Sequence, residues 1–257
     1  DLVNKLKGPS KTVIITGGNR GIGAAIARVF HADGYDVMIG ARTDSGSAKR
    51  LGGKARYHDA DVRNELDHRR LIDAAIGWTG RLDAYINCAG FSEWRPAGEV
   101  DIGFWNKMID TNLKGTFWGC KAAADRLTKG GCIINISSLA GKRGSADNSV
   151  YCASKFGVNG ITQALAKELG PRGIRVNAVC PVYIETDGVL DALKDPRSPA
   201  RGKDVHGYLD EFASANSALK RLPTGDEVGN ACLYLASDAA SAITGQCINV
   251  DCGVLTQ

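Results

Sequence analysis

Long apolar runs are what this chain most plainly lacks. No stretch approaches the ~20 consecutive apolar residues that a membrane-spanning helix needs, and none reads as a signal peptide. The expectation is therefore a cytoplasmic protein with no membrane partner. Charge of one sign is missing too: 32 Lys and Arg against 28 Asp and Glu leave a formal charge of +4 on 257 residues. The basic residues are scattered, with no stripe and no interleaved aromatic patch, which removes the electrostatic footprint of nucleic-acid binding. The four histidines, His31, His58, His68 and His206, lie too far apart to suggest ligands. The eight cysteines contain no Cys-x-x-Cys pair, so zinc spacing is absent as well. Most of them (Cys120, Cys132, Cys180, Cys232, Cys247) fall inside apolar patterns, where a thiol behaves as a small hydrophobe, and reduced thiols are expected.

What is present is a regular alternation of strand and helix patterns. Thr12 to Thr16 is a short β-branched run, followed at once by Gly17-Gly18-Asn19-Arg20-Gly21-Ile22-Gly23 and a helical pattern from Ala24 to Ala32. Strand, glycine-rich turn and helix in that order form a nucleotide-binding unit: the glycines let the backbone approach a pyrophosphate whose charge the helix N-terminus favours. Further strands are predicted at Asp36 to Ala41, Lys54 to His58, Leu82 to Asn87, Cys132 to Ile136 and Ile174 to Cys180. Helices are predicted at Leu66 to Trp78, over a long stretch broken near Thr111, and at Ser149 to Leu169, with a final helix and strand between Asp226 and Val250. Parallel strands need crossovers, so the alternation predicts an α/β fold: a single doubly wound Rossmann-type domain over 1–257, a parallel sheet with helices on both faces. Gly23, Asn87, Ser138 and Pro181 all fall at or just after strand ends, on the edge where such sheets bind ligands.

Tyr151-Cys152-Ala153-Ser154-Lys155 carries the chemistry. In a helix, positions i and i+4 share a face, and an ammonium beside a phenol favours the phenolate. Tyr151 is thus a candidate general acid/base, with its pKa expected to fall towards working pH. Ser138, after the buried run ending at Ile136, adds a hydroxyl at a strand end.

Together these residues resemble the short-chain dehydrogenase/reductase family in its compact form, similar to 3-oxoacyl reductases and glucose dehydrogenases. The resemblance runs from Lys11 to the C-terminus and rests on the glycine loop, Asn87-Cys88-Ala89-Gly90, Asn112, Ser138, Tyr151 and Lys155. It implies hydride transfer between a nicotinamide and a carbonyl carbon of a small-molecule carbonyl or alcohol substrate. Asn112, Ser138, Tyr151 and Lys155 would form the catalytic set. Tyr151 would pass the proton, Lys155 would lower its pKa and hold the ribose, Ser138 would bond the carbonyl oxygen, and Asn112 would hold a water linking Lys155 to solvent. The cofactor would lie against Gly17, Asn19, Arg20, Gly21, Ile22, Gly23, Arg42, Asp61, Val62, Asn87, Ala89, Gly90, Tyr151, Lys155, Pro181, Val182, Ile184 and Thr186. The segment at about 186–221 stands where the family keeps a substrate lid. Phe91, Trp94, Tyr183 and His206 are pocket candidates by position, and a homodimer or homotetramer is implied. Two positions depart from the pattern: Val182 and Cys252 stand where glycines are usual.

NAD-specific sites carry an acidic residue at the end of the second strand. Here that position is Ala41, followed by Arg42, and Arg20 precedes Gly21. Two arginines suit a 2′-phosphate, so NADP(H) is preferred, with NAD(H) retained through Asp44 if the strand end shifts. The reading is an NADPH-dependent carbonyl reductase. Its alternatives are a dehydrogenase of a secondary alcohol, polyol or sugar, and a catalytically silent nucleotide sensor.

Overall fold

The computed structural model describes residues 9–256. Strands β1 (Thr12–Thr16), β2 (Asp36–Ala41), β3 (Ala55–Asp59), β4 (Ala84–Asn87), β5 (Cys132–Ile136), β6 (Arg175–Pro181) and β7 (Cys247–Val250) form one sheet of order β3-β2-β1-β4-β5-β6-β7. Every pairing is parallel. The order reverses between β1 and β4, leaving a crevice beyond the carboxyl ends of those two strands. Among the described residues no helix is long and apolar enough to cross a membrane.

Strands buried on both faces read as continuous apolar runs, and β1 and β5 are buried at every position. Successive side chains point to opposite faces. Val13 and Ile15 enter one core with Ile26 and Phe30 of helix α1 (Gly21–Ala32) and Val228, Cys232 and Leu235 of α9 (Gly225–Ala236). Ile14 enters the other, with Leu71 and Ile72 of α3 (Glu65–Thr79), Cys120 and Ala123 of α5 (Gly115–Arg126), and Ala166 of α6 (Ser149–Leu169). Each fully buried isoleucine contributes about 2–3 kcal/mol of transfer free energy, so the two cores together fix which face every crossover covers. A short α2 (Ser47–Leu51) follows β2.

The structure adjusts several expected boundaries. β4 begins at Ala84 rather than Leu82, because the Asp83 carboxylate takes the Thr12 N–H at 2.8 Å in place of a backbone carbonyl. β3 and β6 are displaced one residue towards the C-terminus. The helical stretch near Thr111 is not broken: α4 (Ile102–Ile109) passes through a single π turn, Asp110–Lys114, straight into α5. Between Thr186 and Arg221 the chain forms α7 (Asp187–Leu193) and α8 (Val205–Asn216), whose Leu193 and Leu209 bury a small core of their own with Trp94 and Ala200.

A polar tie crosses the middle of the sheet. Asn87 Nδ2 at the end of β4 donates to Asn135 Oδ1 of β5 at 2.9 Å, and Asn135 Nδ2 donates to Thr162 Oγ1 of α6 at 3.0 Å. This requires α5 to pass close by. A Cβ at Gly119 would overlap Asn87 Oδ1 and stand 3.0 Å from the Tyr85 ring. Gly119→Ala is expected to cost about 1–3 kcal/mol through overpacking, read as a lowered urea midpoint. An unchanged midpoint would show that α5 can move away freely.

Candidate active site

The turn after β1 is built for a close approach. Gly17 and Gly21 have φ of +69° and +55°, which disfavour a side chain, and a Cβ at Gly23 would overlap the Gly17 carbonyl oxygen. Arg20 occupies the N-cap of α1 without a side-chain cap, and no acidic residue stands in the first turn. Those N–H groups, lined by a cradle that only glycine permits, fit the pyrophosphate of a dinucleotide. Opposite the loop, Thr186 side-chain atoms lie 3.6–3.9 Å from a Cβ built on Gly21, so the chain after β6 closes over it. Thr16 Oγ1 accepts the N–H groups of Cys88 and Ala89 at 3.1 and 3.3 Å, joining the ends of β1 and β4.

The candidate adenosine end is tied to the same loop. Asn19 Nδ2 donates to the Thr43 carbonyl at 3.2 Å and Ser45 Oγ to the Asn19 carbonyl at 2.7 Å, which brings the segments carrying Arg20 and Arg42 together. β2 ends at Ala41, as expected, and the Asp44 carboxylate accepts Gly46 N at 2.8 Å, turned onto its own loop. Asp61 is held below the usual carboxylate range, chiefly by its hydrogen bonds from the Arg63 guanidinium, with Arg42 adding a smaller attraction. Ile184 is buried in the first core, and Ile22 of the glycine loop packs against that core.

The second group of candidates lies at the end of β5. Ser138 caps a short 3-10 turn, its Oγ accepting Ala140 N at 3.1 Å. Tyr151 and Lys155 stand in the first turns of α6 as the spacing predicts, and Lys155 Nζ donates to the Ile136 carbonyl at 3.0 Å. Gly90 brings the β4 end against this cluster, since a Cβ there would lie 3.0 Å from Asn112 Oδ1 and 3.8 Å from Lys155 Nζ. Asn112, buried in the π turn, holds both backbone groups of Phe91: Oδ1 accepts its N–H at 3.1 Å and Nδ2 donates to its carbonyl at 2.8 Å.

The electrostatics differ from the expected ones. Burial pushes the Tyr151 phenol above its ordinary value, and a hydrogen bond with Ser138 only partly offsets this. Lys155 is not among the groups that move it; its Nζ donates to the Ile136 carbonyl and stands 5.8 Å from the centroid of the tyrosine ring. Burial also pushes Lys155 itself down to about 8. The pair is thus a protonated phenol beside a lysine that gives up its proton easily.

Val182 does not adopt positive φ, so the valine costs no left-handed strain, whereas Cys252 takes +53°. The Cys252 carbonyl accepts Ser217 Oγ at 2.9 Å and Leu219 N at 3.1 Å, propping the exit from α8. Of the pocket candidates, Phe91 packs, as Tyr151 does, against the small cluster of Phe104, Met108 and Val150, and Tyr183 meets Tyr208 and Phe212 of α8, its hydroxyl 3.3 Å from that of Tyr208. Trp94 is instead buried in the small core under α7 and α8, and His206 is exposed, 3.8 Å from Glu185. Tyr208 and Phe212 were missed; their four-residue spacing on one helix face was the available signal.

A protein-family model described as Enoyl-(Acyl carrier protein) reductase matches residues 17–255. A Streptomyces virginiae protein assigned as the ketoacyl reductase of the monensin polyketide synthase is 38% identical over 256 residues, covering 96% of this chain and 97% of its own. Glucose 1-dehydrogenase 2 of Bacillus subtilis is 34% identical, covering 95% and 94%. Among solved structures, a single-substitution variant of the actinorhodin polyketide ketoreductase with NADPH superposes with a TM-score of 0.87 at 32% identity, covering 95% of this chain and 97% of that one.

The buried lysine generates a stability prediction. A lysine whose folded pKa is about 8 against an ordinary 10.5 costs stability while it stays protonated. Because the unfolded chain then binds more protons, stability rises as pH climbs through that window. Lys155→Met is therefore expected to be more stable than the parent by about 1–2 kcal/mol at pH 7 without added nucleotide, with the gap closing by about pH 10. Denaturant unfolding at both pH values reads it, and a less stable variant at pH 7 would contradict the assigned burial cost.

Proposed function

The chain belongs to the short-chain dehydrogenase/reductase family, and from that premise we propose that it is an NADPH-dependent reductase of a ketone or aldehyde, with Tyr151 as the general acid. The observation that carries this reading is the meeting of Ser138, Tyr151 and Lys155 at the end of β5, across the sheet crevice from the uncapped glycine loop. When bound, a nicotinamide dinucleotide supplies the hydride or accepts it. The glycine loop holds its pyrophosphate, Arg20 and Arg42 take the 2′-phosphate, and Asp61 with Val62 lies along the adenine. Thr186, Ile184, Val182 and Pro181 flank the nicotinamide side, with Asn87, Ala89 and Gly90 beneath.

Ser138 donates to the substrate carbonyl oxygen, stabilising the charge that develops there. Tyr151, a protonated phenol near neutral pH, delivers the proton to that oxygen. Lys155 reaches the ribose hydroxyls and, with its own pKa near working pH, returns a proton to Tyr151. Asn112 fixes the Phe91 backbone beside Lys155 and, in this reading, the water that connects Lys155 to solvent.

Helices α7 and α8 form the lid. All four cations of its first half are neutralised: Lys194 by Asp191, Arg197 by Asp195 and Glu99, Arg201 by Asp147, Lys203 by Glu211. The aromatic group of Tyr183, Tyr208 and Phe212 faces a substrate of low net charge better than an anionic one. Exposed Ile102, Trp105, Phe117 and Phe156 on α4, α5 and α6 favour a homodimer or homotetramer. The oxidative alternative, a dehydrogenase of a secondary alcohol, polyol or sugar, is supported by the likeness to glucose 1-dehydrogenase 2.

Tyr151→Phe tests the mechanism. It removes the proton donor and little volume, so turnover should fall by about a thousandfold or more, while NADPH affinity, read by fluorescence titration, stays within about threefold. Retained turnover would sink the assignment of Tyr151 as the acid.

A further inference from the structure

His68 lies on α3, buried to 1% exposure, and both ring nitrogens are engaged. Nε2 is 2.8 Å from the Val62 carbonyl oxygen and Nδ1 is 2.6 Å from the Tyr85 hydroxyl. A carbonyl only accepts, so Nε2 carries the hydrogen; in the neutral ring Nδ1 then accepts from Tyr85. Tyr85 is fully buried in β4, with its neighbours Ile14 of β1 and Ile133 of β5 on either side. The imidazole therefore connects the centre of the sheet to the turn Asp61–Val62.

The same turn is gripped from two other directions. Asp67 Oδ2, one residue before His68 on α3, accepts the Asp61 N–H at 2.9 Å. Gly115 of α5 crowds it, since a Cβ there would stand 2.9 Å from Val62 Cγ2 and 3.1 Å from the Val62 carbonyl oxygen. An N–H and a C=O on successive residues are thus each pinned by a side chain of one helix, and the backbone between them has no freedom to tilt. Nothing in the hydride-transfer chemistry requires this, and a hydrophobic side chain at position 68 would fill the same space in the second core.

We propose that His68 is a positioning residue for the adenine end of the bound nucleotide, acting through its hydrogen bond to the Val62 carbonyl. The proposal rests on reading Asp61 and Val62 as the adenine-side contact. Its consequence is that part of the dinucleotide affinity depends on a residue that does not touch the nucleotide.

The experiment compares wild type, His68→Leu and His68→Gln, measuring dissociation constants for ADP, NADPH and NADH, KM and kcat, and melting temperature. Leucine fills the site but donates nothing; glutamine carries an amide N–H within reach of Val62. Losing one positioning hydrogen bond should weaken ADP and the preferred dinucleotide about tenfold in His68→Leu, raise KM to match, and leave kcat within about twofold. Glutamine should restore affinity to within about threefold. If His68→Leu does not fold, His68→Asn, whose shorter amide reaches Tyr85 but not Val62, carries the same expectation. A lower melting temperature with unchanged nucleotide affinity, or a glutamine variant no better than leucine, overturns the role of His68. Wild type that binds neither ADP nor either dinucleotide overturns the adenine-site reading beneath it.

Discussion

Parallel pairing is the constraint on which the rest of this structure depends. A parallel strand cannot be followed by its neighbour through a tight turn, so each needs a crossover, and in this chain the crossovers are helices laid on the two faces. All seven carboxyl ends then lie on one edge. Residues far apart in sequence, the glycine loop after β1, Asn87 to Gly90 after β4, Ser138 after β5 and Pro181 after β6, are neighbours there for that reason. The reversal of strand order between β1 and β4 opens the crevice, and Thr16 Oγ1, holding Cys88 N and Ala89 N, fixes its two lips.

Beside that crevice the fold sustains a charge it would be more stable without. Lys155 is buried with one carbonyl partner, and a pKa pushed down to about 8 corresponds to a penalty on the order of 3 kcal/mol for its charged form. Against a net stability of about 5–15 kcal/mol for a typical domain, that is a large local cost. It is tolerated because α6 is anchored elsewhere, through Thr162 to Asn135 and through Ala166 and Leu169 in the second core. Stability lost at such a position is characteristic of sites shaped for chemistry.

Much of the fold was legible because burial on both faces leaves an unmistakable sequence trace. β1, β2 and the run Cys132 to Ile136 stand where their apolar runs predicted, and Tyr151 and Lys155 fall on one helix as their spacing required. What was not legible depended on partners distant in sequence. The start of β4 is set by Asp83 reaching Thr12. The π turn at Asp110–Lys114 shifts a hydrogen-bond register with no proline to announce it. The Tyr151 phenol rises instead of falling because burial, a tertiary property, outweighs a four-residue spacing. His68 read as an isolated histidine, since Tyr85 and Val62 come to it only through the folded sheet.

The most direct test of the central reading is dinucleotide oxidation, followed at the nicotinamide absorbance, with NADPH and NADH against ketones, diketones, 3-oxoacyl thioesters and keto-sugars, and with alcohols and the oxidised dinucleotides in reverse. The account predicts turnover of a carbonyl substrate with NADPH, and weaker turnover with NADH. Tight binding of both dinucleotides with no turnover in either direction, or oxidation of alcohols with NAD⁺ alone, would contradict it.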